Sequence, residues 1–296
     1  MITYRGASRK CFRAVNGLFL LLVTLACAYP LWYILVQSLS GSLLAGKGIV
    51  WPYNFTLNNY RRVFQISGVF HAFYVSIART AVGTCFTLFC SMLLGYLFTK
   101  REMPAHKFLY RMLTITMYIS GGLIPTYIVI KTYGLLNNFW VYILPYAVSA
   151  YYVILIKTYI EQLPPSVEES AMIDGANTLA IFFRIILPMS LPILATIAVY
   201  ASVAQWNAWF DNHIYTFSER NLTTLQYTLY IYLNEAELLV RQLEESASLE
   251  VDATAIVTPK GIRMTVTMIT VLPVLCVYPF LQRFFIKGIA IGAVKG

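Results

Sequence analysis

Long apolar runs separated by shorter polar segments set the pattern of this chain. About 20 apolar residues suffice to cross the hydrocarbon of a bilayer as a helix, and six runs reach that length. No run alternates apolar and polar positions as the strands of a membrane barrel do. The runs cover approximately residues 15–36, 71–98, 107–130, 139–160, 189–211 and 263–283. The pattern therefore predicts an all-α integral membrane protein with six transmembrane helices.

The first run sets the predicted domain organisation. A cleavable signal peptide is the alternative, since Ala26-Cys27-Ala28 resembles a cleavage site. The apolar run continues past that site to Val36, which favours a retained transmembrane helix. We therefore expect a short N-terminal segment, 1–14, followed by a single transmembrane domain over 15–296.

The positions of the basic residues predict the orientation. Alternating the six helices from a cytoplasmic N-terminus puts the larger share of lysine and arginine on the inner side, as the positive-inside rule requires. The short loop after the second run shows this bias most clearly, with Lys100, Arg101, Lys107 and Arg111. The predicted protein is multi-pass, lies in the lipid bilayer and has both termini in the cytoplasm.

Composition supports a membrane protein and excludes several other classes. With 58% hydrophobic and 12% charged residues, the chain is too apolar for an ordinary soluble protein. The net charge of +9 does not indicate a nucleic-acid partner, because the basic residues lie at the ends of apolar runs. The five cysteines and three histidines are scattered without the spacing of a disulfide framework or a metal site.

The chemistry of an enzyme or of an ion-driven pump is also absent from the sequence. The segment from Gly41 to Gly48 approaches a phosphate-binding loop, but Gly48 stands where magnesium binding needs Ser or Thr. Transport driven by an ion gradient is the alternative to transport driven by a partner protein. An ion-coupled secondary transporter would usually carry two related halves and several ionisable residues inside the membrane. Only Arg79 lies clearly inside a run, where we expect snorkelling or an internal ion pair. The energy for transport must then come from a partner.

A polar segment, residues 164–188, separates the fourth and fifth runs. Two prolines end the preceding helix, and Ser166 with Glu169 forms a capping box, which predicts that a new helix starts at Ser166. Gly175 can end that helix, because glycine adopts the left-handed conformation at little steric cost.

A second short helix follows in the same segment. Asn177 or Thr178 can cap it, and Pro188 is expected to end it. The segment therefore predicts a helix–turn–helix that leaves the membrane on the cytoplasmic side and returns.

The same segment resembles a known motif. Glu169-Ser170-Ala171, three residues, Gly175, nine residues, Ile185, one residue and Leu187-Pro188 match the EAA loop of ABC importer permeases, with Ser170 where alanine is usual. The end of the chain, Tyr278 to Gly296, is similar to the corresponding region of carbohydrate-uptake permeases. The likeness covers nearly the whole chain and identifies it as similar to the maltose-type sugar permeases, which have the type I, MetI-like fold.

The resemblance implies a function and a set of partners. The chain would be the permease subunit of an ATP-driven importer of an oligosaccharide or related carbohydrate in a bacterial cytoplasmic membrane. It would work with a second homologous permease, two ATPase subunits and an extracytoplasmic sugar-binding protein. It would bind no cofactor itself, and ATP and Mg would lie on the ATPase subunits. The residues implied in ATPase coupling are Glu169, Ser170, Ala171, Met172, Asp174, Gly175, Ile185, Leu187 and Pro188.

The outer end of the fifth run offers candidates for the substrate path. Tryptophan there is typical of the interfacial belt, but an amide among aromatic rings also suits a sugar. Gln205, Trp206 and Asn207 are the predicted path residues. The polar outer connection, 212–262, is compatible with a solvated cap, and the resemblance favours contact with the binding protein there.

Small residues predict how two of the helices pack. Ser91 and Gly95, four residues apart in the second run, are expected at a helix–helix contact. Gly121-Gly122 with Pro125 is expected to loosen the third helix.

Overall fold

The computed structural model describes residues 7–41, 50–65, 68–234 and 260–276. Apart from one isolated bridge between Ser40 and Phe55, the regular structure of these residues is helical. The chain divides into two compact units, Met1–Ser67 with Ile231–Val271 and Gly68–Tyr230 with Leu272–Gly296.

The first unit contains a long apolar helix, α1 (Ala7–Ser38). Its segment Lys10–Ser38 is long and apolar enough to cross a membrane. The helix runs without a break through residues 26–28 and through Pro30. The first predicted span is confirmed as a continuous helix.

Polar side chains fix the end of α1 within this unit. Asn59, on α2 (Asn58–Gln65), donates hydrogen bonds of 3.0 Å to the carbonyl oxygens of Ser38 and Ser40. The hydroxyls of Ser38 and Tyr60 are 2.8 Å apart. The two bonds from Asn59 satisfy carbonyl groups that the helix end leaves without an intrahelical partner.

The second unit is built around α3 (Val69–Leu97), which packs against α6 (Ala150–Ile160) and α10 (Leu191–Asn207). α3 covers the second predicted span as a continuous helix, and it too is long and apolar enough to cross a membrane. The core of this unit includes Met92, Tyr96, Ile156, Ile160, Ala171, Ile181, Phe182, Ile186 and Ile197.

The predicted packing positions on α3 are confirmed. The side chain of Ser91 is fully buried. A Cβ atom at Gly95 would lie 2.6 Å from Cγ2 of Ile156, so α3 and α6 approach too closely for any larger residue.

The third predicted span, 107–130, is wrong as a continuous helix. The structure has two short helices there, α4 (His106–Ile115) and α5 (Leu123–Thr132). Residues 116–122 separate the two helices, and Gly122, at the end of this stretch, has a φ of 83° and a ψ of 176°, a conformation open essentially only to glycine. The predicted loosening by the glycine pair is therefore a complete interruption.

The fourth predicted span is bent. Two 3₁₀ helices, Phe139–Tyr142 and Leu144–Tyr146, precede α6, and the axis turns by 49° between this pair and α6. In the described residues, two helices can cross a membrane by length and composition alone, or up to four if each bent pair counts as one span.

The remaining predicted elements are partly described. The fifth span ends with α10 at Asn207, and α11 (Phe210–Tyr215) follows after a break. A helix α12 covers 225–234 and α13 covers 260–276. The rest of the outer connection, 235–259, and the residues after 276, including part of the sixth predicted span and the motif at the end of the chain, lie outside the described residues.

Candidate functional site

The first helix of the segment 164–188 begins earlier than predicted. α7 (Pro165–Ile173) has Pro164 as its N-cap, and no side chain caps it. The predicted capping box starting at Ser166 is therefore wrong. Proline is well suited to the first helical position, because its fixed φ is already helical and its missing N–H would have no partner there.

The two faces of α7 differ in exposure. Glu169, Met172 and Ile173 are exposed, and Ile173 retains 85% of its accessible surface. Ala171 faces the other way and is buried in the core of the unit. α7 thus presents a carboxylate and two apolar side chains outward while its alanine holds it to the core. Ser170 and Asp174 are also exposed.

Gly175 ends α7 in the left-handed conformation, as predicted. Its φ is 80°, and the amide of Ala176 donates to the carbonyl of Ala171 at 3.0 Å, which closes the helix end. A Cβ atom at Gly175 would meet nothing within 4 Å, so the requirement for glycine comes from the backbone alone.

The second helix of the segment confirms one prediction and corrects another. The side chain of Asn177 caps α8 (Thr178–Ile181) by accepting a 2.8 Å hydrogen bond from the amide of Ala180. Pro188 does not end the helical path, which continues through a π-helical turn, Phe182–Ile186, and α9 (Leu187–Met189).

The π-helical turn explains how Pro188 is accommodated. Proline lacks the N–H that would bond to the carbonyl four residues earlier and clashes with that carbonyl, and the wider π turn relieves this conflict. The chain then turns by 75° between Thr178–Met189 and α10. Ile185 and Leu187 are half-buried against the core on this turn, whereas Pro188 is exposed.

Glu168, next to the motif glutamate, points inward. Its Oε1 atom accepts a 2.9 Å hydrogen bond from the hydroxyl of Tyr96 and forms an ion pair with Lys100. Burial lowers the pKa of the Lys100 ammonium, and the Glu102 carboxylate acts in the opposite direction. The sequence did not single out Glu168, because its partners lie about 70 residues away in the chain.

In the N-terminal half of α3, Arg79 forms a buried ion pair with Asp211 on α11. Arg79 is 1% exposed and Asp211 2%. Arg79 also donates hydrogen bonds of 3.0 Å to Oε1 of Gln205 and to the carbonyl of Ala208. Its guanidinium carbon lies 4.5 Å from the ring centroid of Tyr142. The predicted internal ion pair is confirmed, and Asp211 is its partner.

This ion pair borders a cavity of about 690 Å³ beside α3. Besides the ion pair, its wall carries hydroxyl groups, an amide and aromatic rings. The lining residues are Arg79, Thr87, Thr116, Met117, Pro145, Tyr146, Val148, Ser149, Ala150, Tyr151, Tyr152, Ala201, Ala204, Gln205, Ala208, Phe210 and Asp211. The volume is within the range of pockets that hold small molecules.

The three predicted path residues fall in different places. Gln205 lines the cavity, where its amide donates to the carbonyl of Tyr142 at 3.3 Å. Trp206 is buried against Phe73 in an edge-to-face contact. Asn207 is exposed and accepts a 2.9 Å hydrogen bond from Gln226. Gln205 alone of the three is on the cavity wall.

A match over most of the chain identifies its family. Residues 87–291, which include α7 and most of the cavity, match the family described as the binding-protein-dependent transport system inner membrane component. The chain belongs to this family.

Two proteins of Bacillus subtilis (strain 168) are similar to the permease over nearly its whole length. The polygalacturonan/rhamnogalacturonan transport system permease protein YtcP is 34% identical over 94% of this chain and 96% of its own. Protein LplC is 35% identical over 97% of this chain and 96% of its own.

A solved structure shares the fold of the permease. In the crystal structure of a bacterial ABC transporter involved in the import of the acidic polysaccharide alginate, one chain matches with a TM-score of 0.83. The match is 24% identical and covers 96% of this chain and 100% of that chain. The predicted all-α fold of an ABC importer permease is confirmed.

The permease is therefore a transport subunit of an ABC importer and not itself an enzyme. The alternative of an ion-coupled secondary transporter is not supported. As a membrane component of such an importer, it works with a partner permease, an ATPase and a binding protein.

Proposed function

We propose that the permease carries an oligosaccharide or related carbohydrate, delivered by an extracytoplasmic sugar-binding protein. The cavity beside α3 is the observation that carries this proposal, since hydroxyls of Thr87 and Ser149, the Gln205 amide and tyrosine rings suit a polyhydroxylated ligand. Relatives support the same substrate class: YtcP is named for polygalacturonan and rhamnogalacturonan transport, and the matching solved transporter for alginate import.

Two ATPase subunits and a second, homologous permease would complete the machine. The exposed face of α7, with Glu169, Met172 and Ile173, fits a groove on an ATPase subunit, because helix-in-groove docking presents residues three and four apart. ATP and Mg would bind to the ATPase subunits, whose closure would draw the two α7 helices together. That movement would tip the permease pair from inward-open to outward-open.

This proposal places α7 and the loop 98–105 in the cytoplasm, with both chain termini. Residues 15–296 would act as one transmembrane domain after the segment 1–14, in a bacterial cytoplasmic membrane.

A cysteine in place of Asn221 on a cysteine-free background is expected to react with an impermeant reagent in intact cells. A cysteine in place of Ser170, also exposed, should react only after permeabilisation. Labelling at Ser170 in intact cells would overturn the orientation.

Uptake by the complete transporter tests the function. With ATP inside proteoliposomes and the binding protein outside, labelled oligosaccharides should accumulate, and omission of the ATPase subunits should abolish uptake. Gln205→Ala is expected to lower uptake about tenfold, since a lost hydrogen bond in such a site costs about 1–3 kcal/mol. Asn207→Ala, a neighbouring amide off the cavity wall, is the matched control.

Three results would contradict this assignment. Ion-gradient-driven uptake by the permease alone would reject the ABC mechanism. If Gln205→Ala takes up sugar as fast as the wild type, the sugar path lies elsewhere. A loss of uptake confined to Asn207→Ala would place the path at Asn207 and its neighbouring tryptophans.

A further inference from the structure

One buried side chain, Tyr96, contacts both halves of the segment 164–188. Its hydroxyl donates to Glu168 on α7 at 2.9 Å. Its ring packs against Phe182 of the π-helical turn, with ring centroids 5.3 Å apart. Tyr96 itself is 2% exposed, whereas Glu168 retains 21% of its side-chain exposure. The end of α3 therefore touches the segment on both sides of its turn.

Lys100 closes this contact into a three-membered cluster. Its ammonium pairs with the same Oε1 atom of Glu168 that accepts from Tyr96, and it lies 4.6 Å from the ring centroid of Tyr96. Each of the three side chains thus contacts the other two. Charge-assisted hydrogen bonds in a partly buried site are stronger than neutral ones, so the cluster resists separation.

The same helix leads from this cluster to the cavity. Arg79 lies on α3 seventeen positions before Tyr96, which at 1.5 Å per residue is about 25 Å along the axis. The helix is continuous between them. Since a continuous helix moves as one body, displacement of the Tyr96 end shifts Arg79 and the cavity wall.

We propose that Glu168, held by Tyr96 and Lys100, is the positioning residue through which movement of α7 reaches α3 and the cavity. Neighbouring glutamates then have separate tasks: Glu169 is exposed toward the ATPase, while Glu168 fastens α7 to α3. This inference rests on the proposed ATPase-driven function. It goes beyond that function by naming the contact inside the permease that transmits the motion.

Glu168→Gln tests the link in the reconstituted complete transporter. The substitution keeps the size of the side chain but removes the charge that Lys100 pairs with. We expect normal membrane abundance and normal co-purification of the ATPase subunits. The sugar transported per ATP hydrolysed, with binding protein present, should fall about tenfold.

The matched control is Glu161→Gln. Glu161, the C-cap of α6, pairs at 2.7 Å with Lys157 four residues earlier, and its side chain is 44% exposed. The same chemical change there should leave the sugar-to-ATP ratio unchanged. Lys100→Gln should reproduce the Glu168→Gln defect, and the double variant should be no worse than either single one, because the two groups act as a unit.

The outcomes separate a transmitting role from a structural one. A wild-type sugar-to-ATP ratio in Glu168→Gln would overturn the inference while leaving the proposed function intact. Equal losses in Glu168→Gln and Glu161→Gln would also overturn it, as would a loss explained by lower thermal stability of the purified complex. Absence of ATP-driven uptake by the wild-type complex would instead remove the proposed function and this inference with it.

Discussion

Replacing Asp211 by alanine is expected to deplete the folded permease from the membrane. The change leaves the guanidinium of Arg79, 1% exposed, without its counter-charge, and removing one partner of a buried ion pair costs about 3–5 kcal/mol. The free energy of unfolding of an ordinary domain is only about 5–15 kcal/mol, so this loss removes a large part of it. Membrane abundance and the thermal unfolding temperature in detergent measure the effect.

A double substitution separates the charge from the packing at this site. Arg79→Leu with Asp211→Leu removes both charges together, and well-packed apolar pairs of this kind are often neutral or stabilising. We therefore expect the double variant to recover abundance that Asp211→Ala loses. The exposed carboxylate of Glu161 is the control, since Glu161→Ala should cost less than about 1 kcal/mol. Wild-type abundance and melting for Asp211→Ala would contradict a stabilising role of the ion pair.

Gly175→Val is expected to abolish transport while the permease still inserts. Gly175 has a φ of 80°, and a side chain in the left-handed region costs about 1–2 kcal/mol, more for a β-branched residue. Nothing lies within 4 Å of the added Cβ atom, so the strain comes from the backbone angles alone. We expect the chain to relieve this strain by changing those angles. This change redirects α7 relative to α8, so its exposed face no longer meets the ATPase subunits.

Asparagine is the matched substitution at the same position. Gly175→Asn should retain much of the transport, because asparagine tolerates the left-handed region better than other non-glycine residues. Uptake, binding-protein-stimulated ATP hydrolysis and membrane abundance are compared for both variants. Wild-type coupling in Gly175→Val would rule out the proposal, and loss of the protein from the membrane would show that this glycine serves folding alone.

Local patterns determined the elements that depend on neighbouring residues. The apolar runs predicted α1 and α3, because crossing a bilayer requires a long uninterrupted apolar helix. The types of residue in the segment 164–188 predicted the left-handed end at Gly175 and the cap by Asn177. These features follow from backbone angles and from hydrogen bonds that span a few residues.

The local rules failed where two of them competed. Ser166 satisfies a capping pattern, yet the preceding proline fits the first helical position and α7 begins there. Pro188 is a helix breaker in isolation, but the π-helical turn before it absorbs the conflict and the helical path continues to Met189. In each case a second local preference outweighed the one on which the prediction rested.

The sequence by itself determined the membrane class, the first two transmembrane helices and the segment that resembles an ATPase-coupling loop. Only the tertiary structure decided which side chains meet: Asp211 with Arg79, and Glu168 with Tyr96 and Lys100. It also placed Gln205, but not Asn207, on the cavity wall. The reason is physical, since hydrophobic periodicity and capping report on one helix at a time. Contacts between residues 68 to 132 positions apart depend on how the helices pack against one another.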